Sequence, residues 1–299
     1  MNTRPTDPPI TLTQQLLDAL CTDGKDPERL TTADLDAVDQ FHIRGKLATV
    51  ELADILFGSL SERHTDVDVD AEAGRERPSA TVTQTPLLLD LGSGLGGSAR
   101  YLAARSGWGI RGLELSTDYV DAARELTARV ELAAQVQFRI GDATDIPHPD
   151  QCFDAVWLQH VSMCIADKTR LCDEIFRVLK PGGCLALQEI IAGPEKEALF
   201  PVPWAMEACD SYLSEQNELT EQLQQAGLVI EHSQDLTGAA LQWFERQAAR
   251  RPENRPASAL SLKLLLGGSY AAMMTNQLRN LREQRIGLLQ VIARRPVKS

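Results

Sequence analysis

One glycine-rich stretch limits the possible folds of this chain more than any other feature of its sequence. Residues 87–103 read "LLLDLGSGLGGSARYLA", an apolar run that leads into four closely spaced glycines. The pattern G-x-G-x-x-G between an apolar run and an amphipathic segment predicts a buried strand, a tight turn and a helix. Gly92 and Gly94 let the backbone turn and approach a ligand, and Gly97 is expected to let the helix pack close to the strand. The stretch therefore predicts a binding site for a nucleotide-like cofactor at the end of the first strand.

Short apolar segments alternate with helical segments downstream of this stretch. The predicted strands are "LLLDLG", "GIRGLEL", "VQFRI", "DAVWLQ", "CLALQEI" and "LVIEHSQDLT", followed after a mainly helical region by "IGLLQVIAR". Repeated strand–helix–strand units form right-handed crossovers and a parallel sheet with helices on both faces. "LKPGG", residues 179–183, is interpreted as the stop of a helix and the turn into the next strand. The predicted fold class is α/β, a Rossmann-like doubly wound, mostly parallel sheet with N-terminal helices and a helical cap before the last strand.

The same patterns predict how the chain divides into units. Two helices are expected ahead of the core, after a mobile Pro-rich start. A linker is expected after them, because that segment is polar, charged and nearly free of large apolar side chains, and it is predicted to be disordered. The predicted units are an N-terminal helical segment (1–60), the linker (61–86), a cofactor-binding core (87–236), a helical cap (237–285), and a final strand and tail (286–299).

The composition argues against several classes of partner. The chain has 30 Lys and Arg against 42 Asp and Glu, a formal net charge of -12, whereas nucleic-acid backbones bind clustered cations. It has no run of about 18 apolar residues and no secretory apolar segment at its start, so we expect a cytoplasmic protein with no membrane partner. Its six cysteines lack the spacing of metal ligands, which predicts reduced thiols and no metal site.

Three acidic residues at the ends of successive predicted strands sharpen the identity of the cofactor. Glu114 ends the second strand, where a carboxylate accepts hydrogen bonds from both hydroxyls of a ribose. Asp142, in "GDATDIP" after the third strand, is placed to accept from an adenine amino group. Asp90, inside the first turn, either holds the amides of the loop or meets an ammonium group through water. A pyrophosphate is poorly matched to an acid at that position, whereas a zwitterionic sulfonium is not, so the three acids predict S-adenosylmethionine.

The motifs "DLGSGLGG", "LELS", "GDATDIP" and "RVLKPGG" together resemble the class I S-adenosylmethionine-dependent methyltransferases. "WLQHVSM" further resembles a small-molecule branch with sarcosine and dimethylglycine N-methyltransferases, and more loosely tocopherol, sterol and quinone C-methyltransferases. The resemblance implies methyl transfer to a small-molecule acceptor, most simply an amine nitrogen. A C- or O-methyltransferase acting on a quinone, a tocopherol-like molecule or another natural product is the alternative. The cofactor contacts it implies are Asp90, Gly92, Ser93, Gly94, Glu114, Leu115, Asp142, Ala143 and Gln159.

His160 is the candidate catalytic residue. It follows the fourth predicted strand, where the transferred methyl group is expected, and could act as a general base or as a hydrogen-bonding anchor. Positioning of the reactants can lower the barrier of such a displacement by about 7 to 11 kcal/mol, so a strong base is not required. Candidate contacts to the acceptor lie on the entry helices, after the fourth and fifth strands and on a late helix: His42, Met163, Trp204 and Tyr270.

Two other functions share some of these features. A nicotinamide-dependent oxidoreductase has the glycine loop but is not expected to have the acid of "GDATDIP". A non-catalytic cofactor-binding protein would retain the loop and lack turnover. The sequence leaves the oligomeric state open.

Overall fold

A computed structural model describes residues 10–66, 85–195, 197–249 and 258–297 of the chain. Their centre is a seven-stranded sheet with the order β3-β2-β1-β4-β5-β7-β6. Only β7 runs antiparallel to its neighbours in this sheet, as the strand pairings show. The strands are β1 (Leu87–Leu91), β2 (Gly109–Glu114), β3 (Val136–Ile140), β4 (Phe153–Gln159), β5 (Leu179–Ala192), β6 (Val229–Asp235) and β7 (Ile286–Arg294).

Helices cover both faces of the sheet. The helices of the described ranges are α1 (Leu12–Thr22), α2 (Asp36–Asp39), α3 (Lys46–Asp66), α4 (Gly97–Ser106), α5 (Thr117–Arg129), α6 (Lys168–Val178), α7 (Gln216–Gln225), α8 (Thr237–Ala249), α9 (Leu262–Leu266) and α10 (Tyr270–Arg282). Apolar side chains of α3, α4 and α5 pack with Leu88 and Trp157 on one face. Those of α6 and α7 pack with Leu89 and Val156 on the other. Since neighbouring residues of one strand point to opposite faces, β1 joins both cores, which confirms the predicted doubly wound α/β fold.

The N-terminal region is more ordered than the sequence analysis predicted. Helix α1 was not predicted, although Leu16, Ala19 and Leu20 are buried at helical spacing on one of its faces. Helix α3 continues to Asp66, so the expected linker does not begin at residue 61. Most of that linker prediction, residues 67–84, lies outside the described residues. Helix α3 can continue through residues 61–66 because they contain no proline or glycine that would end the helix.

The interpretation of "LKPGG" as a turn is wrong. Residues 179–183 are part of β5, and Leu179 pairs with Phe153 of β4. The pairing then shifts register before Ala155 pairs with Cys184, so the extra residues are absorbed as an irregularity at the start of the strand. Proline is tolerated there because the ladder is already interrupted.

In the described part of the segment between β6 and β7, the chain forms the helices α8, α9 and α10, as the predicted helical cap requires. Side chains of α8 and α10 pack together with residues of β5 and β7 in one apolar cluster. Residues 250–257, which join α8 to the segment before α9, lie outside the described residues. Among the helices described, none combines the length and apolar character needed to span a membrane.

Gly97 packs against the N-terminal segment, a contact that the sequence analysis did not predict. A Cβ atom built on it would collide with the backbone carbonyl of Asp39. The first turn of α4 therefore packs directly on α2, and the glycine is what allows this close approach. The glycine loop and the N-terminal segment are thus held against each other.

Gly97→Ala is expected to lower the free energy of unfolding by about 2 kcal/mol or more, because a backbone carbonyl cannot move aside as a flexible side chain can. Gly238→Ala is the matched control, since Gly238 also lies in the first turn of a helix and its Cβ would meet open space. This control is expected to be neutral or stabilising by up to about 1 kcal/mol. Urea unfolding of the two variants measures both values, and equal stabilities would contradict the assigned packing.

Candidate functional site

A cavity of about 380 Å³ lies where β1, β2, β4 and β5 end, beside the glycine loop. Crevices at this edge of open α/β sheets are the usual ligand sites of such folds. The cavity has a polar wall, which includes Asp90, Gly94 and Glu114. It also has an apolar wall, the apolar chamber, formed by Met163, Ile190, Trp204, Trp243, Phe244 and Met274.

Asp90 is the most unusual group on the polar wall. Its side chain lines the cavity and is 3% exposed, and its Oδ2 atom has no hydrogen-bond partner among the described residues. Burial, together with the nearby Glu114 carboxylate, raises the pKa of Asp90 to about 8, against a hydrogen bond from the backbone of Ala99. A buried carboxyl oxygen with no partner is unfavourable unless a ligand donates to it. Asp90 is therefore suited to bind a cationic donor from inside the cavity.

The glycine loop is fixed by Glu114, twenty residues further along the chain. One carboxylate oxygen of Glu114 accepts the N–H of Gly94 at 3.0 Å, and the other accepts the N–H of Ser116 at 3.0 Å. Gly94 has a φ of 52°, which glycine adopts without strain, and a Cβ there would meet no atom within 4 Å. The loop therefore offers bare backbone to the cavity, and each oxygen of Glu114 keeps a lone pair for a second donor.

The remaining predicted cofactor contacts fall in different places. Ser93 lines the cavity, and its buried hydroxyl has no partner among the described residues. Asp142 is exposed and accepts from the N–H and hydroxyl of Thr144, both at 2.8 Å. Leu115 is 70% exposed. Ala143 packs against the core that α6 and α7 cover, and Ala143, Leu115 and Asp142 do not line the described cavity. These three assignments stay predictions.

Gln159 lines the cavity, but the protein already engages its side chain. Its Oε1 atom accepts from Ser98 and Trp157 at 3.2 Å and from Thr49 at 3.4 Å. Its Nε2 atom donates to Gln188 at 3.2 Å. Gln159 is thus a junction between α3, α4, β4 and β5, and it fixes the strand end that carries the next residue.

That next residue, His160, faces the cavity next to His42. The two rings meet edge to face with their centroids 5.8 Å apart. Burial and the neighbouring His42 hold the pKa of His160 well below its usual value, and its Nε2 atom has no partner among the described residues. A neutral imidazole with an unused ring nitrogen is available to a ligand, and Nε2 makes no anchoring bond to the described residues of the protein.

His42 is held by its own segment. Its Nε2 atom lies 3.1 Å from the carbonyl oxygen of Gly45 and 2.9 Å from the hydroxyl of Thr49. Because a carbonyl only accepts, Nε2 carries the hydrogen and Nδ1 is the bare nitrogen. Burial lowers the pKa of His42 to about 4. Both histidines are therefore neutral near pH 7.

Two buried charged side chains, Glu189 and Lys168, hold the loop that follows His160. His160 has a φ of 57°, a conformation that is strained for a residue with a side chain. Glu189 accepts the N–H of Val161 at 3.0 Å and that of Ser162 at 3.1 Å. On the other side of the loop, Lys168 donates to the carbonyls of Ser162, Ile165 and Tyr212 at 2.6 to 2.7 Å. Glu189 therefore fixes N–H groups, and Lys168 fixes C=O groups, of the turn that follows His160.

Glu189→Gln is expected to loosen this turn, because an amide presents an N–H group to one of the two backbone donors. Burial raises the pKa of Glu189 to about 7, and the side chain is fully buried. The loss is expected to be about 1 to 3 kcal/mol of stability, with faster hydrogen exchange at residues 161 and 162. Glu283→Gln, in an exposed pair with Arg279, is the control and is expected to change stability by less than about 1 kcal/mol. Unchanged exchange in Glu189→Gln would contradict the assigned hydrogen bonds.

The predicted acceptor contacts are partly brought together. Met163 and Trp204 line the cavity within the apolar chamber, and Trp204 donates its Nε1–H to Ser211 at 2.9 Å. Tyr270 begins α10 but does not line the described cavity, because the next turn of the helix faces it instead. Apolar residues that the sequence analysis missed line it as well: Phe41, Ile43, Ile190, Trp243, Phe244, Leu262 and Leu265. One signal for this lining was available in the sequence, the adjacent residues Trp243 and Phe244 in a predicted helix. Two neighbouring large aromatic side chains seldom share one buried helix face, so one of them could be expected to face a cavity.

The described residues give no sign of a metal site. Within the described ranges, no three His, Cys, Asp or Glu side chains are grouped closely enough to hold an ion. None of the six cysteines forms a disulfide bond with another described residue.

Comparison with known proteins gives this geometry a family context. Residues 89–187 match the family described as a methyltransferase domain. The matched residues, 99 of the 299 in the chain, include the glycine loop, Glu114, Gln159 and His160, which line the polar side of the cavity.

Similar proteins act on different atoms of different molecules. The chain is 33% identical over 153 residues to a glycine/sarcosine/dimethylglycine N-methyltransferase of Actinopolyspora halophila, covering 50% of this chain and 27% of that protein. It is 36% identical over 119 residues to the chloroplastic tocopherol O-methyltransferase of Arabidopsis thaliana, covering 38% and 34% of the two chains. The match thus spans less than two thirds of either relative.

A solved structure matches over the whole chain. The crystal structure of the cyclase SpnF superposes with a TM-score of 0.60 at 23% identity, covering 100% of this chain and 99% of that chain. The likeness shows a shared fold. Since that methyltransferase-like fold belongs to a protein described as a cyclase, the fold by itself does not decide the reaction.

Proposed function

We propose that this chain transfers a methyl group from S-adenosylmethionine to a small-molecule acceptor. The observation that carries the proposal is the buried Oδ2 atom of Asp90, which lacks a protein partner and faces a cavity beside bare backbone. The amino group of S-adenosylmethionine is a cation that would complete this carboxyl group. The residues present fit the cofactor, because Gly94 leaves room for it and Glu114 keeps lone pairs for the ribose hydroxyls.

The cofactor, when bound, supplies a methyl group on a sulfonium, which is already a good leaving group. The chain therefore has to hold the acceptor in line and exclude water. Phe41 and Ile43 from the N-terminal segment and Trp243 from α8 line the cavity opposite the sheet, and they would exclude water from the reacting atoms. The main contribution of the chain is positioning.

His160 is proposed to contact the acceptor through Nε2. Because its pKa is held well below the usual value, it is a weak base that is unprotonated near pH 7. A weak base suits a hydrogen bond that orients a nucleophile and receives its proton as the new bond forms. It does not suit removal of a proton from an alkylammonium ion beforehand.

The nature of the acceptor atom divides the relatives. An amine nitrogen of the sarcosine or dimethylglycine type is the expectation from the sequence, and oxygen or carbon of a larger acceptor is the alternative. One of the two relatives is an N-methyltransferase and the other is an O-methyltransferase. Together they support methyl transfer, but they do not favour one acceptor atom over the other. A cytoplasmic location is proposed on the same sequence grounds as before.

The proposal is tested by incubating the protein with methyl-labelled S-adenosylmethionine and a metabolite extract, followed by mass spectrometry of the labelled products. The expected result is a labelled small molecule whose formation is strongly reduced in Asp90→Asn. Binding of S-adenosylhomocysteine without any labelled product would favour a non-catalytic cofactor-binding protein. Binding of NAD in place of S-adenosylhomocysteine would favour an oxidoreductase.

A further inference from the structure

The apolar chamber has a composition that selects among acceptors. Three of its six residues, Trp204, Trp243 and Phe244, are aromatic, and the other three are aliphatic or methionine. The indole N–H of Trp204 is already bonded to Ser211. Trp243 and Phe244 pack edge to face with their centroids 5.0 Å apart. The chamber therefore offers flat apolar surfaces, and such surfaces bind ring systems by burial of apolar area.

The charges around the cavity argue against an anionic acceptor. Among the described residues that line it, none is Lys or Arg, and three are the carboxylic acids Asp39, Asp90 and Glu114. Asp39 is paired with Arg100, whose guanidinium lies behind the cavity wall. An acceptor carboxylate or phosphate in the apolar chamber would be buried among six side chains that include no cation, which costs several kcal/mol per ion. The lining thus opposes the carboxylate of sarcosine or dimethylglycine.

A polar group does meet the chamber at one point. His160 and His42 lie beside it, since Ile43 and Met163 belong to the same apolar cluster. The unpartnered Nε2 atom of His160 can accept one hydrogen bond from a hydroxyl group in the tautomer that carries its hydrogen on Nδ1. An acceptor that fills the chamber would thus direct one hydroxyl to this nitrogen.

Resting on the proposed function, we infer that the acceptor is a neutral, ring-bearing, largely apolar molecule that reacts through a hydroxyl oxygen. In the reaction, the oxygen–methyl bond forms and the sulfur–methyl bond breaks, with its electron pair remaining on sulfur. The hydroxyl proton passes to Nε2 of His160 and from there to solvent. The products are a methyl ether and S-adenosylhomocysteine, so atoms and charge balance.

The inference is tested by binding, with probes that share one ring body. Naphthol and naphthoate are titrated into the protein saturated with S-adenosylhomocysteine, and dimethylglycine is titrated as the sequence-based candidate. Calorimetry reports the affinity, and quenching of tryptophan fluorescence reports entry into the chamber. Naphthol is expected to bind at least about tenfold more tightly than naphthoate, because only the anion loses its hydration without a partner.

A cation introduced into the chamber should reverse this preference. Met274 lines the chamber, so Met274→Arg is expected to raise the affinity for naphthoate and lower that for naphthol. Thr275→Arg adds the same charge at an exposed neighbouring position of α10 and is expected to leave the wild-type preference unchanged. Cys164→Lys, at an exposed residue that also lines the cavity, serves as a second variant if Met274→Arg does not fold.

The outcomes separate this inference from the proposed function. Tighter binding of naphthoate or dimethylglycine than of naphthol, with S-adenosylhomocysteine bound, would overturn the inference and leave the proposed function standing. An equal effect of Met274→Arg and Thr275→Arg would also overturn it. Failure to bind S-adenosylhomocysteine would overturn the proposed function and the inference with it.

Discussion

Asp90→Asn is expected to raise the thermal midpoint of the ligand-free protein while it weakens binding of S-adenosylhomocysteine. The folded protein raises the pKa of Asp90 from 3.8 to about 8, so between these values the folded state holds a proton that the unfolded chain has lost. Stability therefore falls as the pH rises through this window. Asparagine does not ionise, so the stability advantage of the variant should be absent near pH 4, grow with pH and level off above about 8. Each kcal/mol is expected to raise the midpoint by about 2 to 4 °C.

The same substitution should reduce affinity by about 10- to 100-fold, because it removes a charge-assisted hydrogen bond from the buried wall of the cavity. Binding of a cation to wild-type Asp90 below pH 8 should release a proton. Calorimetry in buffers of different ionisation enthalpy measures that release, which is expected to disappear in Asp90→Asn. An identical number of protons in the two proteins would show that Asp90 does not meet the ligand.

Arg100→Met is expected to lower the free energy of unfolding by about 3 to 5 kcal/mol. The side chain of Arg100 is fully buried, donates to both carboxylate oxygens of Asp39 and donates to Thr127 at 2.9 Å. Its removal leaves the buried carboxylate of Asp39 without its partner. Because Asp39 lies on α2, just ahead of Phe41, the variant should also loosen the segment that lines the cavity and weaken S-adenosylhomocysteine binding.

Two further variants isolate the pair. Arg105→Met, in an exposed pair with Asp54 at the end of the same helix, is expected to change stability by less than about 1 kcal/mol. The double variant Asp39→Asn/Arg100→Met should recover much of the loss, since the buried charge is then absent. Urea unfolding compares all three proteins. If Arg100→Met loses no more stability than Arg105→Met, the assigned contribution of the Arg100–Asp39 pair to folding is contradicted.

The sheet could be predicted because the local sequence of each strand has a recognisable apolar pattern. The segments "VQFRI" and "IGLLQVIAR" coincide with β3 and β7 as the structure has them. All nine residues of β7 are buried, and a run in which apolar residues predominate is the signal of such a strand. The positions of Asp90 and Glu114 at the cavity could be predicted for the same reason, because each residue lies near the end of a strand that the local sequence predicts.

The apolar side of the cavity depends on contacts that no local pattern records. Phe41 and Phe244 are about two hundred positions apart in the chain, yet both line it. Arg100 lies in the predicted helix "GSARYLAARS", where a charged residue is ordinarily solvated, and only the approach of α2 makes it buried. The predicted amine acceptor came from resemblance in the strands, whereas the lining of the chamber is set by these distant segments.

The most direct test is a crystal structure of the protein grown with S-adenosylhomocysteine. The account predicts the ligand in the cavity at the ends of β1, β2 and β4, with its amino group within hydrogen-bond distance of Asp90 and its ribose beside Glu114. Density for the ligand elsewhere, or none in that cavity at saturating concentration, would contradict the account.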